Sequence, residues 1–286
     1  MRLKIFGLLM ILSSVAFAKI NAIVSVVPQK SFVEAIGGDL VNVSVMVAPG
    51  SSPHSYEPKP SQMKNINDAQ IYFAIGVEFE NAWLNRFASQ NKKMKIIDSA
   101  KNIKKIEMTE HDHGHKEEKS HHDHKHTGLD PHVWTSPANI KVIAKNIFDS
   151  LVAIDGANRV AYEANFQKFI AKIDATDKQI KEILKGTKKG TKFMVFHPAW
   201  GYFAHQYNLE QLAIEVEGKE PKPKELAHIM AEAKEEKVRA IFTQPEFSDK
   251  SAQIIANNLK IKVIKASPLN PDWSANLINM AKAVAK

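Results

Sequence analysis

The feature that most limits the fold is a run near the middle of the chain, RVAYEANFQKFIAKIDATDKQIKEILKG, residues 159–186. Tyr162, Phe166, Phe169, Ile170, Ile173, Ile180 and Leu184 recur at helical spacing and share one face. No Pro or Gly breaks the run before Gly186. At 1.5 Å per residue such a helix is about 40 Å long, enough to run the length of two stacked domains. The rest of the chain must be arranged along that rod.

On both sides of it, short β-rich runs alternate with amphipathic ones. AIVSVVP (22–28), VNVSVMVAPG (41–50) and IYFAIG (71–76) read as strands. Between and after them, Phe32, Val33 and Ile36 lie on one helical face closed by Gly37-Gly38, and Phe79, Trp83, Leu84 and Phe87 on another. Beyond the rod, KFMVF (192–196), RAIFTQ and IKVIKA are strand-like. Leu226, Ile229, Met230 and Ala233 mark one helix there, and Trp273, Leu277, Ile278 and Ala281 another. Strand–helix alternation implies α/β lobes with mostly parallel sheets. The expected organisation is a leader over 1–18, a first lobe over 19–155, the linking helix over 156–187 and a second lobe over 188–286.

The leader is expected because MRLKIFGLLMILSSVAFA has Arg2 and Lys4, a short apolar run and an Ala16-Phe17-Ala18 end. A spanning helix needs about 20 apolar residues, more than this run offers. The chain has no Cys, which excludes disulfides, thiolate metal sites and a lipidated cysteine anchor. An exported chain without such an anchor is expected in the periplasm. The net charge of +8 comes from lysines scattered along helix-like segments, not gathered with aromatics into a stripe, so nucleic acid is not an expected partner.

Seven of the twelve histidines lie in EHDHGHKEEKSHHDHKH, residues 110–126: His111, His113, His115, His121, His122, His124 and His126. This run is polar, mixed in charge and aperiodic, and reads as a disordered loop inside the first lobe. Such a loop binds metal in many weak arrangements, since a tight site needs geometry fixed by a scaffold. With an ordinary imidazole pKa near 6.5, that binding should fade below about pH 6. The other five histidines divide in two groups. His205 and His228 fall within helical runs and read as surface or packing residues. His54 (SSPHSYEP), His132 (LDPHVW) and His197 (VFHPAW) lie on loops after or near strand ends, where α/β folds build ligand crevices. Three neutral imidazoles suit Zn²⁺.

At these residues the chain resembles a known family. VAPGSSPHSYEPKPSQM, LDPHVWTSP, FHPAWGYFAHQYNL and EGKEPKPKEL look like signature segments of the metal-binding receptors of ABC importers for zinc and manganese. The resemblance runs in order along almost all of the chain after residue 18, and the histidine-rich insertion resembles the zinc branch. It implies two lobes around a backbone helix, with metal in the cleft between them. It also implies a monomer that delivers zinc to a membrane permease with a cytoplasmic ATPase, with a periplasmic metallochaperone as a further candidate partner. By position, His54, His132 and His197 match the family's ligands. Related proteins tend to have Glu where this chain has Gln244, and many have Asp where it has Ser267. The expected fourth ligand is therefore water, with Glu246 as the protein alternative, and Trp134 and Trp200 are candidate walls. Losing both carboxylates favours zinc over manganese, which prefers oxygen.

Other classes are less well supported by the sequence. A zinc hydrolase needs a carboxylate base beside metal-bound water, as in H-E-x-x-H, and the chain has no such motif. HGHKEE (113–118) only partly matches a lactamase-like H-x-H-x-D-H pattern. No phosphate-binding Gly loop, nucleophile elbow or dinucleotide fingerprint is present. An extracytoplasmic zinc buffer or an adhesin remains as the third class.

Overall fold

The computed structural model describes residues 19–108 and 128–285. The expected leader and the histidine-rich run lie outside the described residues. The first lobe contains β1 (Ile20–Val24), α1 (Val27–Gly37), β2 (Val41–Val45), α2 (Pro60–Asp68), β3 (Ile71–Ala74), α3 (Glu78–Gln90), β4 (Lys95–Asp98) and α4 (Pro137–Ile154). The long helix α5 follows as Arg159–Leu184. The second lobe contains β5 (Thr191–Val195), α6 (Gly201–Gln206), β6 (Leu209–Ala213), α7 (Pro223–Glu235), β7 (Ile241–Thr243), α8 (Lys250–Leu259), β8 (Val263–Lys265) and α9 (Trp273–Val284).

Both sheets are parallel throughout and repeat one strand order: β2-β1-β3-β4 in the first lobe and β6-β5-β7-β8 in the second. In this order the chain reverses direction between the first and third strands of each lobe. The loops beyond those strands splay to opposite sides and open a crevice at the strands' carboxyl ends.

The strands are shorter than the sequence suggests, for a local reason. The expected strand over 22–28 stops at Val24, because Pro28 is in the first turn of α1 and has no N–H for a ladder. The freed N–H groups of Ser25 and Val26 donate instead to Gln29 Oε1, at 3.0 and 3.1 Å. The same start recurs elsewhere. In α2, Lys59 N–H donates to Gln62 Oε1 at 2.9 Å, and in α7, Lys222 N–H donates to Glu225 Oε2 at 2.7 Å. Each helix has a Pro in its first two positions and a side chain that reaches back to the cap.

Helix α5 packs along α4, α1 and α9. The expected apolar stripe is its buried face, with Tyr162, Phe169, Ile173, Ile180 and Leu184 buried and Phe166 and Ile170 partly so. Thr176 is also buried on that face, where its hydroxyl bonds Ser274 of α9 at 2.7 Å. Phe32 of α1, Phe169 of α5 and Trp273 of α9 form a triangle of rings 5.7–6.1 Å apart. One apolar cluster therefore runs from the first lobe through α5 and α9 to the near face of the second sheet, taking in Phe193, Val195 and Phe242. Alternate residues of β5 point the other way. Met194 and Phe196 join a smaller cluster with Ile229 of α7 and Ile255 of α8 on the far face. Among the described residues, no helix is long and apolar enough to cross a membrane.

Candidate metal centre

The three loop histidines, far apart in sequence, meet between the lobes. One ligand-capable atom from each of His54, His132 and His197 lies within 4.8 Å of the others. The ring centroids are 4.6 Å (His54–His197), 5.1 Å (His132–His197) and 5.4 Å (His54–His132) apart. His132 and His197 are buried, at 3 % and 6 % exposure, while His54 is half-buried at the mouth. His54 follows β2, His132 precedes α4, and His197 comes directly after β5 at the second lobe's crevice.

Each histidine has a carboxylate on Nδ1. His54 Nδ1 pairs with Glu78 Oε2 at 2.9 Å, His132 Nδ1 with Asp130 Oδ1 at 2.8 Å, and His197 Nδ1 with Glu215 Oε1 at 2.8 Å. Glu78 opens α3, on a turn that Gly76 makes with φ of +87°. Asp130 also accepts the backbone N–H of His132 at 2.8 Å. Glu215 follows β6. A carboxylate accepts only, so each Nδ1 carries the proton and each Nε2 is left as a lone pair. His54 Nε2 and His197 Nε2 face each other at 2.9 Å. With both rings neutral and protonated on Nδ1, two lone pairs this close repel, and a shared proton or a metal cation removes the repulsion. A tetrahedral zinc with Zn–N of about 2.0–2.1 Å sets its nitrogens about 3.3 Å apart, so the pair needs to open by only about 0.4 Å.

Burial pushes the His197 pKa below its ordinary value. The hydrogen bond to Glu215 opposes this in part, and the neighbouring His132 and His54 add to it. Burial raises Glu78, but the hydrogen bond from His54 and the electrostatic pull of that ring outweigh it and leave the carboxyl below its usual value. His197 is held further by Phe247, whose ring stacks on it at 5.2 Å and 26°.

The remaining expected site residues divide. Gln244 lines the cleft but spends both ends of its amide on the His197 backbone: His197 N–H donates to Oε1 at 3.3 Å, and Nε2 donates to His197 O at 2.7 Å. Ser267 donates to Glu246 Oε1 at 3.2 Å. Glu246 lines the cleft, yet it is not part of the cluster of ligand-capable atoms found among the described residues. Trp134 is a wall, its ring 5.4 Å from His132 and its Nε1 donating to Pro268 O at 2.8 Å across the cleft. Trp200 is buried behind Phe203 and does not line the cleft. His205 and His228 are exposed on α6 and α7. The sequence reading did not find Glu78, Asp130 or Glu215. Only Asp130 carried a local signal, two residues before His132 in LDPH.

Comparison with known proteins gives the same picture. Residues 23–286 match the family described as ZnuA, zinc-uptake complex component A, periplasmic. The zinc-binding lipoprotein AdcA of Streptococcus pneumoniae is 31 % identical over 264 residues, covering 90 % of this chain and 50 % of AdcA. The chain thus spans about half the length of the streptococcal relatives it matches. The high-affinity zinc uptake system protein ZnuA of Bacillus subtilis is 31 % identical over 255 residues, covering 85 % of this chain and 76 % of that protein. A crystal structure of ZnuA superposes with a TM-score of 0.83 at 40 % identity, over 93 % of this chain and 98 % of that one. With three cleft histidines on two parallel-sheet lobes and a family match from residue 23 to 286, the chain belongs to the ZnuA family of zinc-uptake proteins.

Proposed function

We propose that this protein is an extracytoplasmic zinc receptor that binds one Zn²⁺ in the cleft through Nε2 of His54, His132 and His197 and hands it to a membrane ABC importer. The observation that carries this reading is the convergence of the three imidazoles, each with Nδ1 already committed to a carboxylate. Three nitrogens and no carboxylate in the cluster favour zinc over manganese. Water completes the tetrahedron, since Gln244 is spent on the His197 backbone and Glu246 is turned to Ser267. The receptor performs no chemistry on its cargo. Zinc enters past half-buried His54, settles against the two buried histidines and leaves when the loaded receptor docks on the permease. The partners are that permease with its cytoplasmic ATPase and, for loading, a periplasmic metallochaperone. The protein works as a periplasmic monomer. The histidine-rich run over 110–126, outside the described residues, serves as a weaker accessory collector.

The test is zinc competition against a chelator of known affinity, on the intact protein, a variant lacking 110–126, and His132→Ala. Retention of one tight zinc by the loop deletion and its loss from His132→Ala support the cleft. The reverse pattern would place the tight site in the loop. Manganese matching zinc in the same competition would refute the selectivity.

A further inference from the structure

We propose that Glu78, Asp130 and Glu215 are positioning residues for the cargo, which hold the imidazoles with Nε2 inward and supply, one hydrogen bond away from the metal, the negative charge that Gln244 and Ser267 do not. This rests on the reading of His54, His132 and His197 as the zinc ligands.

Two observations support it independently. The first is the repetition: three ligands on three loops each meet a carboxylate at the same ring atom, at 2.8–2.9 Å. The carboxylates themselves come from three unconnected places, the start of α3, the loop before α4 and the end of β6. A single pair of this kind is ordinary packing. Three that leave the same ring nitrogen free define an orientation, and outer partners of this type fix the tautomer and raise the basicity of a metal-bound imidazole.

The second observation is an electrostatic deficit. Asp130 is 0 % exposed and Glu215 is 7 % exposed, yet Asp130 Oδ2 and Glu215 Oε2 have no hydrogen-bond partner among the described residues. Both acids have one oxygen on a histidine and the other buried with nothing to donate to it. Buried anionic oxygens in that state are costly unless a positive charge lies close by. A dication bound to the far nitrogen of the same imidazoles is such a charge. In this arrangement the negative charge stays out of the donor set. A carboxylate in direct contact adds an oxygen and favours harder cations, whereas a carboxylate behind an imidazole strengthens a nitrogen donor and keeps the set suited to zinc.

The exposures also rank the three. Glu78 is 43 % exposed and pairs with the half-buried histidine, so water screens its charge. Asp130 and Glu215 act through protein interior and matter more.

The test uses the mature full chain and the isosteric variants Asp130→Asn, Glu215→Gln and Glu78→Gln, each titrated with zinc against a chelator. Expected losses are about 10- to 100-fold for Asp130→Asn and for Glu215→Gln. Glu78→Gln should lose less than about threefold, in keeping with a screened surface pair. A second measurement needs no variant and no metal: nitrogen NMR of the wild-type histidines at pH 8, where His132 and His197 should both show the Nδ1–H tautomer. The proposal is overturned if either shows the Nε2–H form, if both buried variants bind zinc like wild type, or if Glu78→Gln loses the most. His132→Ala and His197→Ala run alongside. If these keep tight zinc, the ligand assignment itself has failed. If they lose it while the amide variants do not, only the role of the carboxylates has.

Discussion

Replacing Gln244 by Glu puts a carboxylate into the wall of the cleft, and the local geometry says it should not be accepted freely. Gln244 is fully buried, and its Nε2 donates to His197 O at 2.7 Å. In Gln244→Glu that nitrogen becomes an oxygen facing a carbonyl oxygen. The lost hydrogen bond with its unsatisfied partners costs about 1–3 kcal/mol. A buried charge lacking a partner adds a few more, so the metal-free protein should lose about 3 kcal/mol or more. For a chain of this size that is a fall of roughly 6–12 °C in Tm. Zinc should restore much of it, because a ligand at a thousand times its Kd contributes about 4 kcal/mol. The added oxygen should also narrow the preference for zinc over manganese. Differential scanning calorimetry with and without each metal reads all of this. A metal-free Gln244→Glu protein as stable as wild type would refute the reasoning, since it would mean the amide does not fix the His197 backbone.

Three other perturbations test separate parts of the structure. A Cβ on Gly201 would lie 2.7 Å from Asp130 Oδ2 and 3.3 Å from Gln211 Nε2, so Gly201→Ala should cost about 1–3 kcal/mol and weaken zinc through Asp130; denaturant unfolding and zinc competition with no change in either would contradict this. Trp273→Ala removes one corner of the Phe32–Phe169–Trp273 triangle and should cost about 3–5 kcal/mol by urea unfolding, with a loss under 1 kcal/mol showing that α9 does not hold the lobes together. Burial, with a contribution from Asp130, raises Tyr202 to about 12, above its ordinary value, although the Ile106 N–H hydrogen bond pulls the other way. Its folded pKa is thus the higher one, and the stability it contributes is complete below about pH 10 and lost between pH 10 and 12. The stability gap between wild type and Tyr202→Phe should therefore be flat from pH 7 to 9 and close above 10; a gap unchanged at pH 12 would show that the phenol is not held neutral.

Much of the fold was readable because its strongest signals are local. The stripe of α5 is written into residues 159–184, and the central strands β1, β3, β5 and β7 are short apolar runs because helices cover both their faces. The edge strands β4 and β6 are less legible, since Lys95–Asp98 has no buried residue and in Leu209–Ala213 a polar residue, Gln211, takes one of the buried positions. Helix α4 is legible by the same rules. It has Pro137 at its start, a Ser136 cap and buried Ile140, Ile143, Ile147 and Leu151. The three histidines could be found from the loops they occupy and from the family likeness. Their carboxylate partners could not, because Glu78 and Glu215 reach His54 and His197 from other segments, and a sequence does not show which acid a fold will bring to which ring. Trp200 is the opposite case: it sits three residues from His197, yet it faces the core and not the cleft.

The contact between α9 and α1 has a consequence for how the chain comes to be folded. Ser31 donates to Pro271 O across 240 residues, next to the packing of Phe32 on Trp273. Until α9 is made, the face of α1 around Phe32 lacks this cover. Contacts that span so much sequence slow folding, because a large loop must close before they repay it. Part of the packing around α1 therefore waits for residues 271–284, so the two lobes finish folding together and not one after the other.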